Sequence, residues 1–407
     1  MQCGLLGRKL GHSYSPKIHS MLADYSYQLF EVEPENLENF IRTADFNGLN
    51  VTIPYKKSVI PYCDELSETA KRLGAVNTLV RRNGKLIGHN SDYFGFMSMV
   101  QRSGISVDGK KALVLGSGGA SATAVTVLEE MGAQVIVISR SGENNYGNLE
   151  LHNDAAIVVN ATPVGMYPNT DQTPLSLNYF PKLECVLDLI YNPANTRLLQ
   201  QAQKLSISNQ NGLWMLVAQA KESAEWFIQK SISDELLETV YNTVRTDMES
   251  IMLIGMPGCG KSTIGKILSE KLARTFIDAD AVIEERAGIS IPDIFAEKGE
   301  DGFRKLETEV LADLGKGSAT VISTGGGCIT RPENYKHLHL NSKIIWIKRN
   351  IDFLPTDGRP LSQTNKLSDL YNRRKPLYEA YCDYTVDNDG PLENTIDQIL
   401  QLLKGDG

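Results

Sequence analysis

The octapeptide GMPGCGKS, residues 255 to 262, has the spacing G-x-x-x-x-G-K-S, and few folds can hold it. The glycines let successive backbone N–H groups curl around phosphate oxygens. That works when a strand delivers the chain to the loop and a helix carries it away. Both flanks have the required pattern. SIMLIG, from Ser250, is a short apolar run with β-branched residues, which predicts a buried strand. TIGKILSEKLA follows, with Ile264, Ile267, Leu268 and Leu272 on one helical face. Lys261 is placed to supply charge to the β- and γ-phosphates, and the Ser262 hydroxyl to ligate Mg2+. Cys259 reads as a small filler of the loop. A loop of this kind opens its domain, so the residues before it belong to something else.

The chain has 407 residues, 42% hydrophobic and 22% charged, which is room for two globular domains with sizeable cores. Its net charge is -8 and neither half is basic, so no nucleic-acid or anionic-membrane partner is expected. The six cysteines show no C-x-x-C pair and no histidine at metal-ligand spacing, which predicts free thiols in a reducing compartment. No apolar run reaches membrane-spanning length, and the apolar stretch at the N-terminus is too short for a signal peptide. The expectation is a soluble cytoplasmic protein with small-molecule partners. Its oligomeric state is not legible.

Beyond the loop come acids and arginines on separate segments. FIDAD ends an apolar run in Asp278 and Asp280. GEDGFRKLE, STGGGCI, GRPL and RKPLY follow in that order. One carboxylate near the loop can hold Mg2+ through water, and another can orient an attacking hydroxyl. Dispersed guanidinium forks suit a small acceptor bearing a carboxylate.

This set, over residues 250–407, resembles shikimate kinase. The resemblance implies a P-loop α/β domain that binds ATP through Gly258, Gly260, Lys261, Ser262 and Thr263, with Mg2+ at Ser262 and Asp278. It implies that Asp280 hydrogen-bonds the acceptor and activates its hydroxyl. Arg304 and Arg374 bind the shikimate carboxylate beside Gly326 and Gly327, and Arg359, on the lid, reaches the transferring phosphate. The segment before the lid is short and lacks the arginine that commonly packs on adenine; Arg349 and Pro391 are the substitutes offered here.

In the front half, KKALVLGSGGASATAVTVLEEMGAQVIVISRS, residues 110 to 141, reads as strand, glycine turn, helix, strand. Gly116, Gly118 and Gly119 permit close approach of a pyrophosphate to the helix N-terminus, and Ser121 stands where a strict fingerprint has its third glycine. Ser139 and Arg140 follow the second strand, where an NAD site usually has an acid. A cation there suits a 2′-phosphate and predicts NADP over NAD. Before this unit the polar residues cluster. Ser13 and Ser15, two apart, would share one side of an extended loop and grip a carboxylate. Asn50, Thr52, Lys56, Asn77, Asn90 and Asp92 lie in other short motifs, and a lysine with an aspartate can manage the proton of a carbonyl reduction.

These motifs, with NATPVGM, DLIYNP and NGLWMLVAQA, resemble shikimate dehydrogenase over residues 1–245. The resemblance implies Lys56 and Asp92 as the catalytic pair. It assigns Ser13, Ser15, Asn50, Thr52, Asn77, Tyr191 and Gln219 to the substrate, and Gly116, Gly118, Gly119, Ala120, Ser139, Arg140, Thr162, Gly212 and Met215 to NADP(H). A second cation usual after Arg140 is missing, which weakens the expected NADP preference. His12 and His89 read as polar neighbours, and the other histidines as surface residues.

The fold expected is α/β throughout: a two-lobed dehydrogenase with a Rossmann-type NADP lobe, followed by a P-loop α/β kinase domain. Residues 1–96 plus 214–245 would make the substrate lobe and 97–213 the NADP-binding lobe. TVRTDMES, residues 243 to 250, would be a short polar join. The function implied is bifunctional: NADPH-dependent reduction of 3-dehydroshikimate to shikimate, then ATP- and Mg2+-dependent phosphorylation of its 3-hydroxyl. The alternatives are a non-catalytic metabolite sensor built from the same modules, a quinate-type substrate for the front half, or another small polyol for the kinase.

Overall fold

A computed structural model describes residues 1–11, 13–354 and 367–405. Among these residues three sheets follow one another along the chain.

The first sheet holds β1 (Gln2–Gly7), β2 (Ser26–Glu31), β3 (Gly48–Val51), β4 (Glu65–Leu66), β5 (Thr78–Arg82) and β6 (Lys85–His89), in the order β2-β1-β3-β5-β6-β4. Strands β1 and β3 run parallel, while β5 pairs antiparallel with β3 and forms an antiparallel hairpin with β6. That hairpin turns on Asn83 and Gly84, both at positive φ (51° and 77°), the geometry that matches the twist of the flanking strands. Strand β3 is wholly buried. A Cβ on Gly48 would lie 2.2 Å from the Phe227 ring, so glycine lets the helix Leu213–Ile228 lie close against it.

The second sheet is parallel: β7 (Lys111–Leu115), β8 (Gln134–Ile138), β9 (Ile157–Asn160), β10 (Cys185–Asp188) and β11 (Ser208–Gln210), in the order β11-β10-β9-β7-β8. The chain goes from β7 to β8 on one side, then returns to lay β9 on the other. Ligands bind open α/β sheets at the carboxyl ends of the strands where the order reverses in this way. The helix Asp92–Arg102 leads out of the first sheet and the helix Leu213–Ile228 leads back. They meet at Gly95, where a Cβ would be 2.8 Å from the Met215 carbonyl oxygen.

The third sheet is also parallel: β12 (Ser250–Ile254), β13 (Thr275–Asp278), β14 (Thr320–Ser323), β15 (Ser342–Lys348) and β16 (Tyr384–Asp387), in the order β13-β14-β12-β15-β16. Its central strand β12 is buried throughout and apolar at every position but Ser250. The glycine-rich loop leaves β12 and enters the helix Lys261–Leu272.

The chain divides into two compact units. One is Met1–Tyr191 with Thr196–Val244; the other is Arg245–Gly407 with Asn192–Asn195. The expected polar join at 243–250 is not a linker. Residues up to Met248 finish the helix Asp234–Met248, and Ser250 begins β12. Four amphipathic turns of helix outweighed the polar look of its last residues. No helix of the described residues is long and apolar enough to cross a membrane.

Two candidate active sites

The first unit has a cavity of about 400 Å³ between the first sheet and the returning helix. Lys56 and Asp92 face each other across it, Nζ to Oδ2, at 2.5 Å. Asp92 opens the helix Asp92–Arg102, and its backbone N–H is held by Asn90 Oδ1 at 3.1 Å. Ser13, Ser15, Asn50, Thr52, Asn77, Tyr191 and Gln219 line the same space, with Ala120, Gly212 and Met215. Burial raises the pKa of the Tyr191 phenol, which keeps it a neutral donor. The seryl pair is not on extended chain as expected. Tyr14 is helical and Ser15 starts the helix Ser15–Leu22, so Ser13 Oγ accepts from the Ser15 N–H at 3.2 Å. Gly212 is forced: a Cβ there would lie 2.1 Å from the Leu189 carbonyl oxygen.

The other residues read as cofactor ligands lie at the carboxyl edge of the second sheet. Gly116 has φ +111°, and a Cβ on it would meet Thr162 Cγ2 at 3.1 Å. Ser121, in place of a third glycine, closes the turn by donating to the Gly116 carbonyl at 2.6 Å. Gly118 caps the helix Gly119–Glu130, and apart from the adjoining chain no described atom lies within 4 Å of where a Cβ on Gly118 or Gly119 would sit. Such a turn at a helix N-terminus could hold a diphosphate. Thr162 is fixed by its N–H and hydroxyl bonds to Asn160 Oδ1, at 3.1 and 2.6 Å. Ser139 is half-buried and Arg140 exposed, just past β8.

The second unit has a cavity of about 500 Å³ beside the glycine-rich loop, lined by Gly258, Gly260, Lys261, Ser262, Thr263, Asp280, Arg304, Gly326, Gly327, Arg349 and Arg374. Lys261 is buried, and its Nζ donates to the carbonyls of Gly255 (3.0 Å) and Met256 (3.1 Å). Ser262 Oγ donates to Asp278 Oδ2 at 2.7 Å. A hydroxyl and a carboxylate so close fit a hard divalent cation such as Mg2+. Asp278 also caps the helix Ala279–Ala287 and so fixes Asp280. Burial, then the charge of Asp278, pushes the Asp280 carboxyl up, against the pull of Lys261 and Arg304.

Arg304 stands on the helix Ile291–Leu314, which breaks at Gly299 (φ 68°, ψ -177°) and restarts. Its guanidinium covers Gly327, where a Cβ would be 2.1 Å from it. Arg374 is buried one turn before Tyr378, whose hydroxyl donates to the Gly326 carbonyl at 2.5 Å. Arg359 lies outside the described residues. Pro391 does not line this cavity. It lines a separate pocket of about 730 Å³ with Ile267 and Lys271, whereas Arg349 reaches the phosphate cavity.

Several residues of these sites had no sequence signal of their own. Glu307, 1% exposed, binds Arg304 at 2.6 Å and shares the cavity with Asp280. Burial raises its pKa even with Arg304 beside it. On paper, Arg304 and Glu307 look like a solvated i,i+3 pair. In the first unit, Thr78, Ser91 and Ser223 form a buried hydroxyl network behind Asn50 and Asn77, and the half-buried Tyr27 donates to Asn50. His19, His152 and His337 are buried, not surface residues as expected. His19 stacks on Tyr27 at 4.1 Å, and burial lowers its pKa to about 3, so it is neutral. His89 is the polar neighbour foreseen, held by Ser67 (2.9 Å) and Glu222 (3.2 Å). His12 lies outside the described residues. Cys259 is a buried filler, and all six cysteines are free.

A family model described as shikimate kinase matches residues 257–404, and one described as shikimate dehydrogenase substrate binding domain matches residues 5–79. A shikimate dehydrogenase (NADP(+)) of Clostridium perfringens is 36% identical over 261 residues, covering 58% of this chain and 96% of the relative. Among solved structures, a chorismate mutase/shikimate 5-dehydrogenase fusion protein from Clostridium acetobutylicum is 35% identical with a TM-score of 0.58, over 60% of this chain and 96% of that one. Shikimate 5-dehydrogenase from Thermus thermophilus, in complex with NADP(H) and shikimate, is 30% identical with a TM-score of 0.55, over 60% and 99%.

Proposed function

The chain belongs to the shikimate dehydrogenase family and carries a shikimate kinase domain behind it, and from that premise we propose that it catalyses two consecutive steps, NADPH-dependent reduction of 3-dehydroshikimate and ATP-dependent phosphorylation of the shikimate so made. The observation that carries the reading is the pairing of two cavities in one chain. One holds a lysine–aspartate pair among hydroxyl-binding side chains; the other holds a phosphate loop facing buried arginines.

In the first site Ser13 and Ser15 bind the substrate carboxylate, while Thr52, Asn77 and Gln219 bind ring hydroxyls. The glycine cradle at Gly116, Gly118 and Gly119 holds NADP(H), with Arg140 toward the 2′-phosphate and Met215 and Gly212 beside the nicotinamide. The cofactor supplies the hydride. Lys56 gives its proton to the carbonyl oxygen that becomes the 3-hydroxyl and takes another from water, and Asp92, 2.5 Å away, balances its charge and holds it in place. In the second site Arg304 and Arg374 hold the carboxylate of shikimate. Asp280 accepts from the attacking hydroxyl. Lys261 neutralises phosphate charge, with Arg359 from the lid. Ser262 and Asp278 would hold Mg2+, which would offset charge on the phosphates. Free thiols and these co-substrates fit the cytosol.

The test gives the purified protein 3-dehydroshikimate, NADPH and ATP–Mg2+ and follows NADPH loss and ADP formation. Lys56→Ala should lose about 10²–10⁴-fold in reduction and still phosphorylate added shikimate; Lys261→Ala should do the reverse. Loss of both activities in either variant would refute two independent sites.

A further inference from the structure

Behind the dehydrogenase cavity lies a serine that does not line it and belongs to none of the motifs that identify the site. Ser223 is fully buried on the helix Leu213–Ile228. Its hydroxyl accepts from Asn50 Nδ2 at 2.8 Å, meets the hydroxyls of Thr78 and Ser91 at 2.9 Å each, and reaches the Gln219 carbonyl at 3.0 Å. One hydroxyl has one proton and two lone pairs, so these four neighbours share it. The hydroxyls of Thr78 and Ser91 also serve Asn77. Its Oδ1 accepts from the Ser91 N–H (2.7 Å) and from Thr78 (3.0 Å), and its Nδ2 donates to Ser91 (3.0 Å). Ser91 further meets Gln219 Oε1 at 3.2 Å.

This wiring sets which way the amides point. A backbone N–H can only donate, so Asn77 must turn its oxygen to Ser91 and keep one N–H for the cavity. Asn50 gives its oxygen to the Tyr27 hydroxyl at 2.8 Å and one N–H to Ser223, leaving the other. We propose that Ser223 is a positioning residue of the reductase: its hydroxyl accepts from Asn50 Nδ2 and so locks the Asn50 amide, which presents its other N–H to an oxygen acceptor of the substrate. The inference rests on the reading of this cavity as the dehydroshikimate site. It makes Ser223 a determinant of substrate binding and leaves the proton pair Lys56–Asp92 untouched.

The test compares steady-state reduction by the full chain, Ser223→Ala, Asn50→Ala and the double variant. Ser223→Ala should raise KM for 3-dehydroshikimate about tenfold, with kcat within about threefold and KM for NADPH unmoved. Ser223→Thr, which keeps the hydroxyl, should recover most of the loss. The double variant should be little worse than Asn50→Ala, since the serine acts through the asparagine. An unmoved KM in Ser223→Ala, fully additive losses, or KM for NADPH rising in step would overturn the proposal. A wild-type chain that oxidises no NADPH with 3-dehydroshikimate would overturn the reading of the site itself, and this inference with it.

Discussion

Asp188 ends β10 with no exposed surface, and its carboxylate takes three hydrogen bonds: from Asn160 Nδ2 (2.9 Å), the Ile190 N–H (3.1 Å) and the Thr196 hydroxyl (2.6 Å). Burial outweighs these bonds and lifts its pKa from 3.8 to about 6. A carboxyl raised on folding stabilises most when protonated. Its contribution is full below the unfolded value and fades as pH climbs through about 6. A shift of that size is worth about 3 kcal/mol. Melting curves from pH 4 to 7 should therefore decline less steeply for Asp188→Asn than for wild type; parallel curves would refute the assignment. The aspartate was visible in the motif DLIYNP, but its environment was not, because burial is a property of the packed sheet. The same holds for Ser223 and Glu307. Lys56, Asp92 and Lys261 were legible because their chemistry constrains nearby sequence. A serine inside a helix, or a glutamate three residues after an arginine, has no such constraint around it.

The elements were legible where the local pattern and the tertiary demand agree. The strand, loop and helix around Gly255–Ser262, and the strand–turn–helix at Gly116, came out as read. The polar tail of the helix Asp234–Met248 was misread because its apolar contacts come from packing. The break at Gly299 could not be foreseen from an unremarkable GEDG. The meeting of two helices at Gly95 is another tertiary fact. A Cβ there would be 2.8 Å from both the Met215 carbonyl oxygen and Gln219 Cβ, so the backbones must separate to admit it. Overpacking of this kind costs about 1–3 kcal/mol. Gly95→Ala should lower the melting temperature of the first unit and reduce its kcat/KM for 3-dehydroshikimate about tenfold, because Asp92 and Gln219 sit on the two displaced helices. Kinase turnover, measured in the same preparation, should stay within about twofold; an unchanged reductase would show that the helices yield without moving the site.

At the scale of the molecule, the match to the curated dehydrogenase takes in 96% of that relative and only 58% of this chain. The first unit thus corresponds to a whole enzyme elsewhere, with its own cores and cleft. Residues 1–244 expressed alone should fold and reduce 3-dehydroshikimate with KM within about threefold of the full chain. A KM displaced by much more would mean the second unit helps to build the first site. That the chain joins two enzyme modules could be read from the order of motifs, since each set runs in its family's order and one begins where the other stops. How the loop at Gly255–Ser262 rests could not. Lys261 there is already satisfied by the Gly255 and Met256 carbonyls, so under the proposed function nucleotide entry would be an exchange of partners. On the proposed role of Lys261, carbonyl dipoles would release the ammonium as phosphate charge arrives, and the lysine would pass from holding its own loop in shape to holding the cargo.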